Sequence, residues 1–197
     1  MLKAATRALE SLGAEVRFAA DAENCVRRRK PDEPCATPSG NAAALPFVIE
    51  VQGVPNLLHE LAHVVLLGRV DKDHGTPYAK IPFDMTTPDG RRLLFEELAC
   101  CVASASFHPG SDADAQAWFA EQVGIQDCFF GCDGDPQRLN EGIAREVAAH
   151  REELDEVIAR AHARLAVALT TAGAPPEVAR PPRRFDFEEG WRRLVDR

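Results

Sequence analysis

The 197-residue chain is poor in several things that would place it quickly: it has one tyrosine, two tryptophans and two methionines. No stretch approaches the roughly 20 consecutive apolar residues that a membrane-spanning helix requires, so no membrane partner is expected. The first twelve residues contain Lys3, Arg7 and Glu10 and lack the apolar segment of a secretory leader. A cytoplasmic location is the resulting expectation. Basic residues are also in deficit, 23 against 31 acidic ones, for a formal net charge of −8. Phosphate binding needs a concentrated basic surface, so no nucleic-acid partner is expected. The single basic run, Arg27-Arg28-Arg29-Lys30, lies in a proline-rich polar stretch and reads as a solvated loop. No internal repeat is visible.

What is present is ordinary for a globular protein: 45% hydrophobic and 27% charged residues. The length suits one domain, or a core with an appendage. There are six cysteines, and in a reducing compartment disulfides are not expected. Cys100 and Cys101 fall in an apolar helical run and read as small buried hydrophobes. Cys25, Cys35, Cys128 and Cys132 offer, at loose spacing, an alternative four-thiolate zinc site.

Along the chain, residues 3–12 read as a short helix stopped by Gly13, and 14–19 alternate as a strand does. Charges and prolines make 21–44 a long loop. The run Leu45-Pro46-Phe47-Val48-Ile49-Glu50-Val51 is the best strand signal. A helix is predicted from Asn56, as N-cap, to Leu67, then a loop over 69–90. A second apolar helix runs from Arg91 or Arg92 to Phe107. A third starts at Ser111 and ends at Gly124, and a Cys- and Gly-containing loop covers 125–134. Asp135-Pro136 opens a helical pattern that continues to Gly173. Its stripe, Leu139, Ile143, Val147, Leu154, Ile158, Ala161, Leu165 and Leu169, either packs on its own domain or meets a partner along 137–172, including a second copy. Trp191 and Leu194 are expected to dock the Pro- and Arg-rich tail back onto the fold.

The chemistry sits in Leu57-Leu58-His59-Glu60-Leu61-Ala62-His63-Val64-Val65. Residues four apart share a helix face, so His59 and His63 present two imidazoles one turn apart, as two corners of a zinc tetrahedron. Glu60, beside them, is placed to take a proton from a zinc-activated water. Histidines and a glutamate amid apolar flanks are costly without partners, which argues against a chance pattern on a surface helix. A catalytic zinc needs a third protein ligand. One candidate is Glu96 on the next helix, with small Ala99 one turn later. The other is His74, in the loop segment Asp73-His74-Gly75-Thr76-Pro77-Tyr78.

The His59-Glu60-x-x-His63 helix followed by Glu96-x-x-Ala99 on a second helix resembles the gluzincin metallopeptidases. The second helix also resembles that of the ImmA/IrrE family in the order Glu96, Ala99, Val102-Ala103, Phe107 and Pro109. Cys100 stands where that family has Asn, and the linker between the helices is longer. The His74-Gly75 segment is similar to an element of SprT-like peptidases, in which the histidine is the third ligand. These resemblances cover about residues 45–110 and imply an α+β fold. They imply a small zincin-like core over 1–110, its short sheet packed on the motif helix. A mostly helical part, 111–173, with one long helix, and a tail, 174–197, would follow.

They further imply zinc (Zn2+) on His59, His63 and Glu96, with Glu60 as the catalytic base of a metalloprotease cleaving a peptide or protein substrate. With Glu96 as ligand, His74 and Tyr78 become candidates for the substrate side of the metal. The strand at 45–51, or one within 79–95, would offer its edge to an extended peptide. The rival reading is a regulatory protein whose zinc is only structural.

Overall fold

A computed structural model describes residues 1–36, 44–76, 85 and 87–195. Tyr78 and most of the 79–95 segment's first half lie outside the described residues. The fold is α+β: a three-stranded sheet and a larger helical layer share one hydrophobic core.

Helix α1 (Leu2–Ser11) buries Ala4, Ala5, Ala8 and Leu9, the i, i+1, i+4, i+5 stripe of one helical face. It leads into β1 (Ala14–Phe18). Strand β2 (Cys25–Arg28) follows, then β3 (Phe47–Val51). The order is β1-β3-β2, with β1 parallel and β2 antiparallel to β3. The strongest strand signal is therefore the central strand. Val48, Ile49 and Val51 are fully buried, and the expectation that this segment offers a free edge is corrected.

The loop expected over 21–44 contains β2, and the basic run is not simply solvated. Only Val26 gives β2 an apolar anchor, at 1% exposure. The outer sheet face is held by charge. Arg27 donates to Glu33 and, at 2.6 Å, to Glu50, while Arg17 pairs with Glu15 at 2.8 Å and also with Glu33. Arg29 reaches Glu15 at 2.5 Å. Arg28 lies over the Phe47 ring. Periodicity of apolar residues is blind to a strand assembled from cross-strand ion pairs.

Helix α2 (Val54–Leu67) starts earlier than Asn56, with Gly53 as N-cap and Pro55 in its first turn. It ends at Gly68, whose φ of 78° is the left-handed conformation that reverses the chain there. A 3-10 turn (Lys72–Gly75) follows. Helix α3 (Pro88–Ser106) is capped by the Thr87 side chain, and α4 (Asp112–Gly124) by a reciprocal Ser111–Asp114 capping box. A second 3-10 turn spans Ile125–Phe129.

The long helix divides at His150 (φ −138°, ψ 37°) into α5 (Pro136–Ala149) and α6 (Arg151–Thr171). The break falls where the apolar stripe lapses after Val147. Gly142 on α5 meets the Phe130 ring so closely that a Cβ there would sit 2.6 Å from it. Helix α6 packs against α2 and α3. Of the stripe, Leu139, Ile143, Val147, Leu154, Ala161, Leu165 and Leu169 are buried in the chain's own core. That stripe is therefore not an open partner face. Short α7 (Pro176–Ala179) and α8 (Phe187–Val195) close the chain. Phe187 stacks on Trp191 and meets Phe119 edge-on, and Trp191 and Leu194 pack against the core. Among the described residues no helix is long and apolar enough to cross a membrane.

Candidate metal centre

Helix α2 carries His59, Glu60 and His63 on a face that is almost wholly covered, at 8%, 5% and 6% exposure. The two imidazoles meet edge-on, with Nε2 atoms 3.1 Å apart. Across from them α3 packs on α2, and its Ala99, Cys100, Cys101 and Ala103 are small and fully buried. That close approach brings in a carboxylate: Glu97 Oε2 is 3.3 Å from His63 Nε2 and 3.6 Å from His59 Nε2.

Among the described residues, His59, His63 and Glu97 are the group of side chains that can hold a metal ion. Their spacing can be tested against one. Four ligands at 2.0–2.1 Å in a tetrahedron are about 3.3–3.4 Å apart. The three edges here are 3.1, 3.3 and 3.6 Å. Two nitrogens and one oxygen are also a donor set that suits a borderline divalent ion. Burial pushes the His63 imidazole down, towards the neutral form that binds metal. Burial alone would raise Glu97, but the charge of His63 and hydrogen bonds from both histidines hold it well below the usual range.

The structure thus brings Glu97 to the two histidines and not Glu96, so the expected candidate for a third ligand is corrected by one residue. Glu96 turns to the surface and accepts from Arg92 at 3.0 Å, one turn back on the same helix. Successive residues on a helix point about 100° apart, so only one of the two can face α2. The sequence did carry a signal. Glu97 has Leu93, Leu94, Cys100 and Cys101 at its three- and four-residue neighbours, all apolar, whereas Glu96 has Arg92. The match to the ImmA/IrrE order shifts with it, since Cys100 now takes the place of the small alanine three residues on.

His74 is near but outside the group. Its Nε2 is 2.5 Å from Glu60 Oε2, and its ring stacks on that of His63, with centroids 4.2 Å apart and planes 19° apart. Burial opposes charge on both partners, yet each favours it on the other: Glu60 is lowered and His74 raised. His59 Nδ1 and His74 Nδ1 are buried without a hydrogen-bond partner among the described residues.

A cleft of about 350 Å³ opens onto this centre. One wall comes from β2 and the loop before it, through Glu23, Asn24, Cys25 and Val26. Further lining comes from α4 and the turn after it, through Glu121, Gln122, Ile125 and Gln126. The 111–173 part therefore contributes to the lining of the cleft, which no local motif announced. Trp118 of α4 meets His59 edge-on at 6.4 Å and donates to Ser104 Oγ at 2.9 Å.

The alternative four-thiolate site is not formed among the described residues: Cys25, Cys35, Cys128 and Cys132 make no disulfide and do not converge on one point. His108 accepts from the Gly110 amide, and His162 pairs with Ser106, both away from the metal group. Comparison of the chain with protein-family models, curated proteins and solved structures found no match.

Proposed function

We propose that this chain is a zinc metallopeptidase with a zincin-like core of the gluzincin type, in which His59, His63 and Glu97 hold the ion and Glu60 is the catalytic base. The observation that carries this reading is the three-ligand group at tetrahedral spacing, with a further carboxylate, Glu60, buried beside it and left out of it. Bound zinc supplies a Lewis acid that polarises a carbonyl and acidifies water. Glu60, kept ionised in its buried position, accepts the proton of the attacking water and delivers it to the leaving amine. That carboxylate belongs to a residue only 5% exposed, so little bulk solvent reaches it. Strand β2 is an edge of the described sheet, and Cys25 and Val26 line the cleft, so an extended peptide would lie along β2.

A regulatory protein with a structural metal is the rival. Structural zinc sites close with four protein ligands, whereas catalytic ones use three and keep a position open. His74, the obvious fourth ligand, is engaged by Glu60 instead, which favours the catalytic reading.

The test combines metal content with cleavage of a diverse peptide library. Wild type and Glu60→Gln should each bind one zinc per chain, and only wild type should cleave. Equal cleavage by the two proteins would refute Glu60 as the base. A fourth protein ligand in the zinc coordination shell, seen by X-ray absorption, would favour the structural reading.

A further inference from the structure

We propose that His74 is a positioning residue that fixes the carboxylate of Glu60 for proton transfer. The inference rests on the peptidase reading, but its geometry is independent of any metal. An ionised carboxylate only accepts, so the 2.5 Å contact between His74 Nε2 and Glu60 Oε2 is an N–H donated by the imidazole. With Oε2 engaged, Oε1 is the oxygen free to take a proton. The side chains are 11% and 7% exposed, so water does not compete for the bond.

The backbone is shaped to put His74 there. Glu60 and His74 are 14 residues apart, and the chain must leave α2, reverse and come back alongside it. Gly68 makes the first turn in the left-handed region. The second is made by two consecutive non-glycine residues in that region, Asp73 (φ 45°, ψ 41°) and His74 (φ 53°, ψ 29°). Left-handed backbone is unfavourable for a residue with a Cβ and persists only where the surroundings impose it. Here Asp71 supplies those surroundings: its carboxylate accepts from the Lys72 amide and its carbonyl from the His74 amide. The turn also packs on β2 and α2. The His63 ring holds the plane of the imidazole by stacking. A ring so constrained presents one donor to one oxygen, and does so before any substrate arrives.

His74→Phe keeps the stacking ring and removes the donor. His74→Gln restores an N–H near the position of Nε2. With zinc stoichiometry unchanged, kcat of His74→Phe should fall by about 10–100-fold, the range seen when groups orienting a catalytic shell are removed, with KM nearly constant. His74→Gln should recover most of that loss. Two results would overturn the proposal: His74→Phe with wild-type kcat, or loss of zinc in step with activity, which would make His74 a ligand.

A readout apart from catalysis is the imidazole 1H–15N spectrum of the metal-free protein. It should show a slowly exchanging His74 Nε2 proton that disappears in Glu60→Ala. Its absence from wild type would also overturn the proposal. The parent reading fails differently: if Glu60→Gln cleaves like wild type, the peptidase mechanism falls while the spectrum still decides whether His74 holds that carboxylate.

Discussion

Exchanging the charge of one or the other of two adjacent glutamates separates the sequence expectation from the structure. Glu97→Gln keeps the volume of the side chain but replaces an anionic ligand by a neutral amide 3.3 Å and 3.6 Å from the two imidazoles. Losing an orienting group around a metal already costs 10–100-fold in affinity. Losing a charged ligand should exceed that, so zinc affinity should drop more than about 100-fold, or roughly 2.7 kcal/mol. Glu96→Gln breaks only an exposed pair with Arg92 at i, i+4. Such pairs are worth about 0.3–0.5 kcal/mol, so zinc affinity should not change measurably. Competition against a chromophoric chelator reads both constants. Thermal unfolding with and without zinc gives a second reading, because zinc at 100 times its Kd stabilises the fold by about 2.7 kcal/mol. That increment should persist in Glu96→Gln and vanish in Glu97→Gln. Zinc retained by Glu97→Gln and lost by Glu96→Gln would refute the assignment and restore the sequence reading.

Two further outcomes test the frame around the site. Burial alone would raise the Glu15 carboxyl, but hydrogen bonds from Arg17 and Arg29 hold it at about 2 against an ordinary 4.5. A depressed carboxyl contributes stability that is fully present above the unfolded value and lost as pH falls from about 4.5 towards 2. Urea midpoints over that window should fall by the equivalent of roughly 2 kcal/mol more in wild type than in Glu15→Gln, and parallel curves would show that the outer-face ion pairs do not matter. Gly142→Ala should destabilise by about 1–3 kcal/mol in chemical denaturation, because the new Cβ would meet Phe130 at 2.6 Å. At an uncrowded helix site the same change would stabilise by up to about 1 kcal/mol, so the sign alone decides whether the α5–Phe130 contact is tight.

Much of the local structure was legible. The short helix α1, the β-branched run of β3, the Ser111 cap of α4 and the Asp135-Pro136 start of α5 all lie within a few residues of where the sequence put them. Each is set by neighbours within one or two turns. What was missed depends on distant partners. Strand β2 forms because Arg27 finds Glu33 and Glu50. The break at His150 lies inside a run with good helical character on both sides, and the two halves take separate places in the fold.

The metal centre divides in the same way. His59, Glu60 and His63 were readable because the spacing of an α-helix places i and i+4 on one face whatever surrounds it. Which glutamate joins them was signalled only by its apolar neighbours three and four residues away, because the rotation of α3 about its own axis depends on its packing against α2, α4 and α6. A turn of about 100° exchanges Glu97 for Glu96 with no change in the helix itself. The place of His74, beside Glu60 and outside the metal group, was decided by a loop whose two left-handed residues no local rule would have proposed. Sequence alone thus determined that one helix presents two histidines and a glutamate on a face that could hold a metal. Tertiary packing decided which carboxylate joins the two histidines, which side chain pairs with Glu60 and what lines the cleft, since each depends on contacts between elements far apart in the chain.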